Sequence, residues 1–126
     1  MSNDVVLYET KDGVATITLN RPEKANTLRF EVIRGLGDCL RDANRDEKTK
    51  VIVLQGAGDN FCGGFDFSGG LEHYGNIKED GYDPGVDVQD VTCQYRSYLT
   101  DFMGLWRGAK PNIASGVDRR WRCARI

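Results

Sequence analysis

The sequence predicts an α/β domain, and three stretches carry that expectation: an alternating hairpin near the start, an amphipathic helix after it, and a buried strand at Val51 to Gln55. Their order is strand, strand, helix, strand. That is the order of a parallel pair joined by a helical crossover behind a leading hairpin. At 126 residues the chain suits one small domain with a single core.

Val5 to Glu9 is a short apolar run, and Lys11, Asp12 and Gly13 make a turn. Val14 to Leu19 then sets Val, Thr, Thr against Ala, Ile, Leu, so the pair reads as a β-hairpin with Asp12-Gly13 as its turn signal. Asn20 to Asn26 is polar and contains Pro22, which cannot continue a central strand, so a surface loop is expected there. From Thr27 the period changes. Leu28, Val32, Leu36 and Leu40 recur every four residues, with Ile33 and Ala43 widening the stripe, and Asn26 or Thr27 would cap this helix. Gly35 and Gly37 each cost ~1 kcal/mol relative to alanine in a helix interior, so the helix depends on docking rather than on propensity. Asn44 to Lys50 is a charged exit loop.

Val51 to Gln55 lacks alternation, which predicts burial on both faces. It runs into Gly56, Gly58, Gly63 and Gly64, a density that lets the backbone itself approach a ligand. Phe61, Gly64, Phe65 and Asp66 end the stretch, with Asp66 placed to cap a following helix. A strand feeding such a turn suits a phosphate, a nucleotide or a thioester. The dinucleotide fingerprint fails on detail, because Phe61 stands where G-x-G-x-x-G needs its third glycine, and no G-K-[ST] exists for a phosphate loop.

From Gly69 to Asp90 periodicity is lost, and Glu79, Asp80, Asp83, Asp87 and Asp90 face one nearby lysine, Lys78. Segment 70–90 is therefore expected to be an acidic flexible loop, either a functional lid or disordered. Val91, Tyr95, Leu99, Phe102 and Trp106 form a second helical stripe, which packs on the sheet or lines an acyl pocket. Gly108 to Pro111 ends that helix, and Asn112-Ile113-Ala114 reads as the start of another buried strand.

Composition excludes some classes. A net charge of −2 gives no reason to expect nucleic acid as a partner. No apolar run approaches the ~18 residues of a membrane span, and the first residues lack a secretion signal, so no membrane partner and a cytoplasmic location are expected. Cys39, Cys62, Cys93 and Cys123 lie far apart without metal-ligand spacing, so reduced thiols and no metal are expected. His73, the one histidine, reads as part of a surface loop.

Taken together, GVATITLNRPEKANTL (Gly13 to Leu28), VIVLQGAGDNFCGGFDF (Val51 to Phe67) and KPNIA (Lys110 to Ala114) resemble the crotonase superfamily, the enoyl-CoA hydratase and isomerase group. The resemblance covers residues 1–114 as the N-terminal part of a crotonase-like acyl-CoA-binding domain. It implies an incomplete spiral of repeated β-β-α units, an acyl-CoA substrate, no separate cofactor, and assembly as a homotrimer or hexamer. Moving a proton beside a thioester carbonyl builds negative charge on its oxygen, which preorganised donors must meet. The family pattern F-x-x-G-x-D makes the backbone N–H of Phe65 one such donor. Gly64 leaves room for the thioester, and Asp66 fixes the turn. Phe67 and Ser68 would border the pantetheine, while the loop carrying Arg21, Lys24, Ala25 and Asn26 would approach the nucleotide end. A small residue is more usual where Phe65 stands.

After the K-P-x-I-A strand the family continues to a glycine-rich turn with the second oxyanion donor, and then to helices bearing acidic residues. Here Ser115-Gly116-Val117-Asp118 leads into a basic stretch with Arg119, Arg120, Arg122 and Arg125, so residues 115–126 are expected to be an atypical, out-of-frame tail. Losing one donor costs ~2.7–4 kcal/mol of transition-state stabilisation, and losing the acid and base a further ~10²–10⁴-fold. Little or no hydratase activity is expected of the chain alone. The alternative is a non-catalytic coenzyme A-binding or assembly fragment. The motifs do not choose among hydration, isomerisation and hydrolysis.

Overall fold

The computed structural model describes residues 4–68, 77–78, 81–82 and 98–116. The hairpin forms as its sequence predicts. β1 (Val6–Lys11) and β2 (Val14–Leu19) pair antiparallel from Val6 opposite Leu19 to Lys11 opposite Val14. Asp12 and Gly13 both hold positive φ, 50° and 82°, the two-residue geometry whose twist matches the flanking strands. Alternation sends Ala15, Ile17 and Leu19 into the core and leaves Val14, Thr16 and Thr18 half-buried on the opposite face.

After a 3₁₀ turn at Pro22–Lys24, helix α1 (Phe30–Arg45) crosses to β3 (Val51–Gly56), which lies parallel to β2. The sheet order is β1-β2-β3-β6, with β6 (Asn112–Ser115) parallel to β3. Val32, Leu36, Cys39, Leu40 and Ala43 of α1 pack against Val6, Ala15, Ile17, Leu19, Ile52 and Leu54 of the sheet. Each buried Val, Leu or Ile among them contributes roughly 1.5–3 kcal/mol by leaving water. A two-residue antiparallel pair, β4 (Ile77–Lys78) and β5 (Gly81–Tyr82), falls within the segment expected to be a loop.

Helix α2 (Tyr98–Arg107) docks on α1, and α1 is built to receive it. A Cβ at Gly37 would stand 2.6 Å from Asp101 Cγ, so only a glycine admits that carboxylate. Asp101 is buried and meets Arg41 Nη1 at 3.0 Å and Arg34 Nε at 3.8 Å. The helix-interior cost of Gly37 is thus offset by a docking contact. At the other end, Lys110 Nζ donates to the carbonyls of Ala43 and Asp46, and Lys110 N–H donates to Asn44 Oδ1 at 3.2 Å. The lysine of the KPNIA motif is a cap for the last turn of α1, where orphan carbonyls and the negative helix end favour a cation.

Several expectations change. The first helix begins at Phe30, not Thr27, and its N-cap is Arg29 without a side-chain cap bond, because Asn26, Thr27 and Leu28 are committed elsewhere. β3 is not buried on both faces: Ile52 and Leu54 are buried, while Val51 and Val53 are half-buried. β6 is a strand, but it is the outermost one among the described residues, and Ile113 is 54% exposed. Trp106 does not belong to the packed stripe of α2, being 85% exposed, whereas Phe102 and Leu105 pack against the core. The expectations for His73, Val91, Tyr95, Cys93 and the basic stretch from Arg119 lie outside the described residues. Among the described residues no helix is long and apolar enough to cross a membrane.

Candidate active site

β3 delivers the chain to a turn that tolerates no side chain at its first position. A Cβ on Gly56 would overlap the carbonyl oxygens of Asn60 and Phe61 and lie 2.7 Å from Asn26 Nδ2. Asn26 is the clamp of this turn. It is fully buried in a left-handed conformation (φ 54°), which asparagine adopts more readily than most residues. Its Nδ2 donates to Ala57 O at 2.9 Å and Asn60 O at 2.6 Å, and its Oδ1 accepts the Arg21 N–H at 2.8 Å. One side chain thus ties the loop after β2 to the turn after β3.

The turn then returns along Leu28. Leu28 N–H donates to Gly64 O at 2.7 Å, and Asp66 N–H donates to Leu28 O at 2.9 Å, which makes a one-residue parallel bridge between Leu28 and Phe65. Gly63 N–H is held by Ala25 O at 2.8 Å. Peptide geometry then sets a direction. The Gly64–Phe65 bond is trans, so a Gly64 carbonyl aimed at Leu28 aims the Phe65 N–H the opposite way. Gly64 has φ 89°, which favours glycine, and on the side where its Cβ would be no atom of the described residues beyond its chain neighbours lies within 4 Å. The Phe65 ring is 46% exposed and meets Phe102 edge-on at 6.0 Å.

Asp66 anchors the far side of the bridge. Its carboxylate accepts the Ser68 hydroxyl, the Ser68 N–H at 3.0 Å, and Arg21 Nη2 at 3.0 Å. Those Ser68 bonds first, and then the guanidinium, hold the Asp66 carboxyl well below the usual carboxylate range. Arg21 is itself buried, and its Nη1 donates to Thr27 O at 2.8 Å.

The sequence-predicted residues therefore divide. Gly64, Phe65, Asp66, Phe67 and Ser68 share one turn, and Phe67 is 68% exposed beside it. Lys24 is exposed on the 3₁₀ turn, with Ala25 half-buried next to it. Arg21 and Asn26, expected at the nucleotide end, instead point their side chains inward, where both are engaged within the protein. Sequence reasoning misses the Leu28 bridge and the Arg21–Asp66 pair. Their one signal there is the polar stretch from Asn20 to Asn26, whose last residue reads as a helix cap. The Asp66 carboxylate, expected to cap a following helix, closes a local turn with Ser68, and residues 69–76 lie outside the described part. Among the described residues no group of three His, Cys, Asp or Glu side chains could hold a metal ion.

The sequence profile of the enoyl-CoA hydratase/isomerase family matches residues 9–92. This chain belongs to that family. It is 30% identical to an enoyl-CoA hydratase/isomerase from Xanthobacter autotrophicus Py2, whose structure superposes with a TM-score of 0.69 over 91% of this chain and 39% of the other. An enoyl-CoA hydratase from Mycobacterium smegmatis is 31% identical, with a TM-score of 0.67 over 87% of this chain and 39% of the other. The 1,2-epoxyphenylacetyl-CoA isomerase of Escherichia coli is 38% identical over 65 residues, 52% of this chain and 25% of that enzyme. The chain thus spans a quarter to two fifths of the length of these relatives. The β-β-α-β order and the superpositions show the crotonase fold over the described part.

Proposed function

We propose that this chain carries the first half of an acyl-CoA site, in which the Phe65 N–H stabilises the negative charge that develops on a thioester oxygen. The observation that supports this most is the trans Gly64–Phe65 peptide, whose carbonyl is taken by Leu28 and whose N–H is thereby aimed to the other side. Among the described residues only its chain neighbours stand beside Gly64, which leaves room for a thioester next to that donor. A main-chain donor held by a bridge needs no reorganisation as charge develops, which is what makes such a group effective. Phe67 and Ser68 border the pantetheine in this reading. Lys24 is the exposed cation for the nucleotide end, beside Ala25. The reaction class is that of the family, hydration or isomerisation of an acyl-CoA, with homotrimeric or hexameric assembly.

The 126 residues hold no match to the family's second donor or to its catalytic carboxylates, so by themselves they are proposed to bind without turnover. Calorimetric titration with butyryl-CoA and with free coenzyme A, alongside a hydration assay with crotonyl-CoA, tests both halves. Saturable binding favouring the thioester, without hydration, is the expected result. Absence of binding removes the proposed site, and hydration by this chain contradicts its need for further residues. Equal binding of both ligands identifies a coenzyme A-binding fragment without a thioester site.

A further inference from the structure

Arg21 occupies a position that its charge alone does not explain. A cation in a loop is normally hydrated, yet the Arg21 side chain is only 10% exposed and that of its partner Asp66 only 7%. Burial of two charges is costly unless their hydrogen bonds are met, so the pair persists only where the surroundings hold both ends. Here they do. The Arg21 N–H is held by Asn26 Oδ1 at 2.8 Å, its carbonyl accepts Asn26 N–H at 2.8 Å, and Nη1 reaches Thr27 O at 2.8 Å. Nη2 then grips Asp66 Oδ2 at 3.0 Å. Asn26 also holds Ala57 O and Asn60 O, so the base on which Arg21 stands is fixed to the end of β3.

The consequence falls on Phe65. Thr27 and Leu28 are adjacent, and Arg21 holds the carbonyl of the first while Leu28 holds Gly64 O and Asp66 N–H. Arg21 therefore touches both strands of the one-residue bridge, one through Thr27 and the other through the Asp66 carboxylate. Two backbone bonds alone leave a single-residue bridge free to twist about its own line. A side-chain brace across it removes that freedom.

We infer that Arg21 is a positioning residue: by joining Thr27 to Asp66 it fixes the direction of the Phe65 N–H, and it makes no contact with the nucleotide of coenzyme A. This rests on the proposed acyl-CoA site and deepens it. A hydrogen bond to a neutral carbonyl is worth a factor of about 3–10, so the intact chain should prefer butyryl-CoA over butyl-CoA, its thioether lacking the carbonyl, by about that ratio.

The test compares Arg21→Met, Arg21→Lys, Asp66→Asn and Lys24→Met in the full chain, titrated with both ligands and followed at the Phe65 amide by ¹⁵N NMR. Arg21→Met and Asp66→Asn should bring the thioester preference to about 1 while leaving thioether affinity within about twofold, and Arg21→Lys should restore part of the preference. Lys24→Met should weaken both ligands together. An Arg21→Met chain that keeps the preference, or loses affinity for both ligands equally, overturns the inference. If the unmodified chain shows no preference, the acyl-CoA reading fails. The brace is then judged on the ligand-free spectrum, where Arg21→Met must shift the Phe65 amide and Lys24→Met must not. Should Arg21→Met fail to fold, the near-isosteric Asp66→Asn decides by the same readings.

Discussion

The Asp101 carboxylate of α2 occupies the space that a side chain at Gly37 of α1 would need, its Cγ 2.6 Å from the position of a Cβ there. Arg41 and Arg34 hold that carboxylate from either side, so it cannot swing away without giving up both. Alanine in place of glycine would normally favour a helix interior by ~1 kcal/mol. Over-packing costs ~1–3 kcal/mol, which outweighs that gain, so Gly37→Ala should destabilise the chain by up to about 2 kcal/mol overall. In an Asp101→Ala background, where only the Cβ of residue 101 remains at 2.9 Å, the same substitution should cost less. Urea denaturation of the four-member cycle measures this coupling, and simple additivity would contradict it.

Gly56 offers a harsher case, because the atoms a Cβ would meet are backbone oxygens of Asn60 and Phe61 rather than a movable side chain. Gly56→Ala should cost about 3 kcal/mol, the upper part of the over-packing range, by forcing the turn off the end of β3. Denaturation midpoints check the size. A loss below about 1 kcal/mol would mean that the turn yields easily.

How much of this is legible in the sequence depends on the reach of each contact. The hairpin, α1 and β3 follow from periods of two and four read within a dozen residues, and the Asp12-Gly13 turn needs only its own two residues. Arg21 and Asn26 cannot be read that way. Asn26 looks like a helix cap until its partners Ala57 and Asn60 are known, and Arg21 looks like a surface cation until Asp66, 45 residues on, is found beside it. Leu28 fits the helical stripe by spacing alone. Its backbone is withdrawn from the helix by a bridge to Phe65 that no local pattern announces. Trp106 shows the converse, a stripe position that the fold leaves exposed.

The Asp66 carboxyl sets a pH signature. Its folded-state value is depressed by the Ser68 bonds and then by Arg21, so the stability it contributes is fully present above its unfolded value of about 3.9 and is lost as pH falls through the lower folded value. The stability difference between the unmodified chain and Asp66→Asn should therefore be flat from pH 7 to about 5 and shrink only below about pH 4. Thermal unfolding across that range reads it. A difference that already declines between pH 7 and 5 would mean that the carboxylate is not held as described.

Cys39 lies in the core, and burial, the largest influence on it, pushes its thiol above the ordinary value. Cys62 is half-buried beside the turn. Brief iodoacetamide treatment of the native chain, mapped by mass spectrometry, should modify Cys62 well before Cys39. Urea should abolish the difference. Equal labelling in the native chain would contradict the packing of α1 on the sheet.

The Phe65 amide proton reports directly on the proposed contact between the Phe65 N–H and a thioester oxygen. Titrated with butyryl-CoA in a ¹⁵N-labelled chain, that proton should move downfield as a carbonyl oxygen comes within hydrogen-bond reach, and with the thioether butyl-CoA it should stay near its ligand-free position. A Phe65 amide that ignores both ligands, or that moves equally with both, would contradict the account.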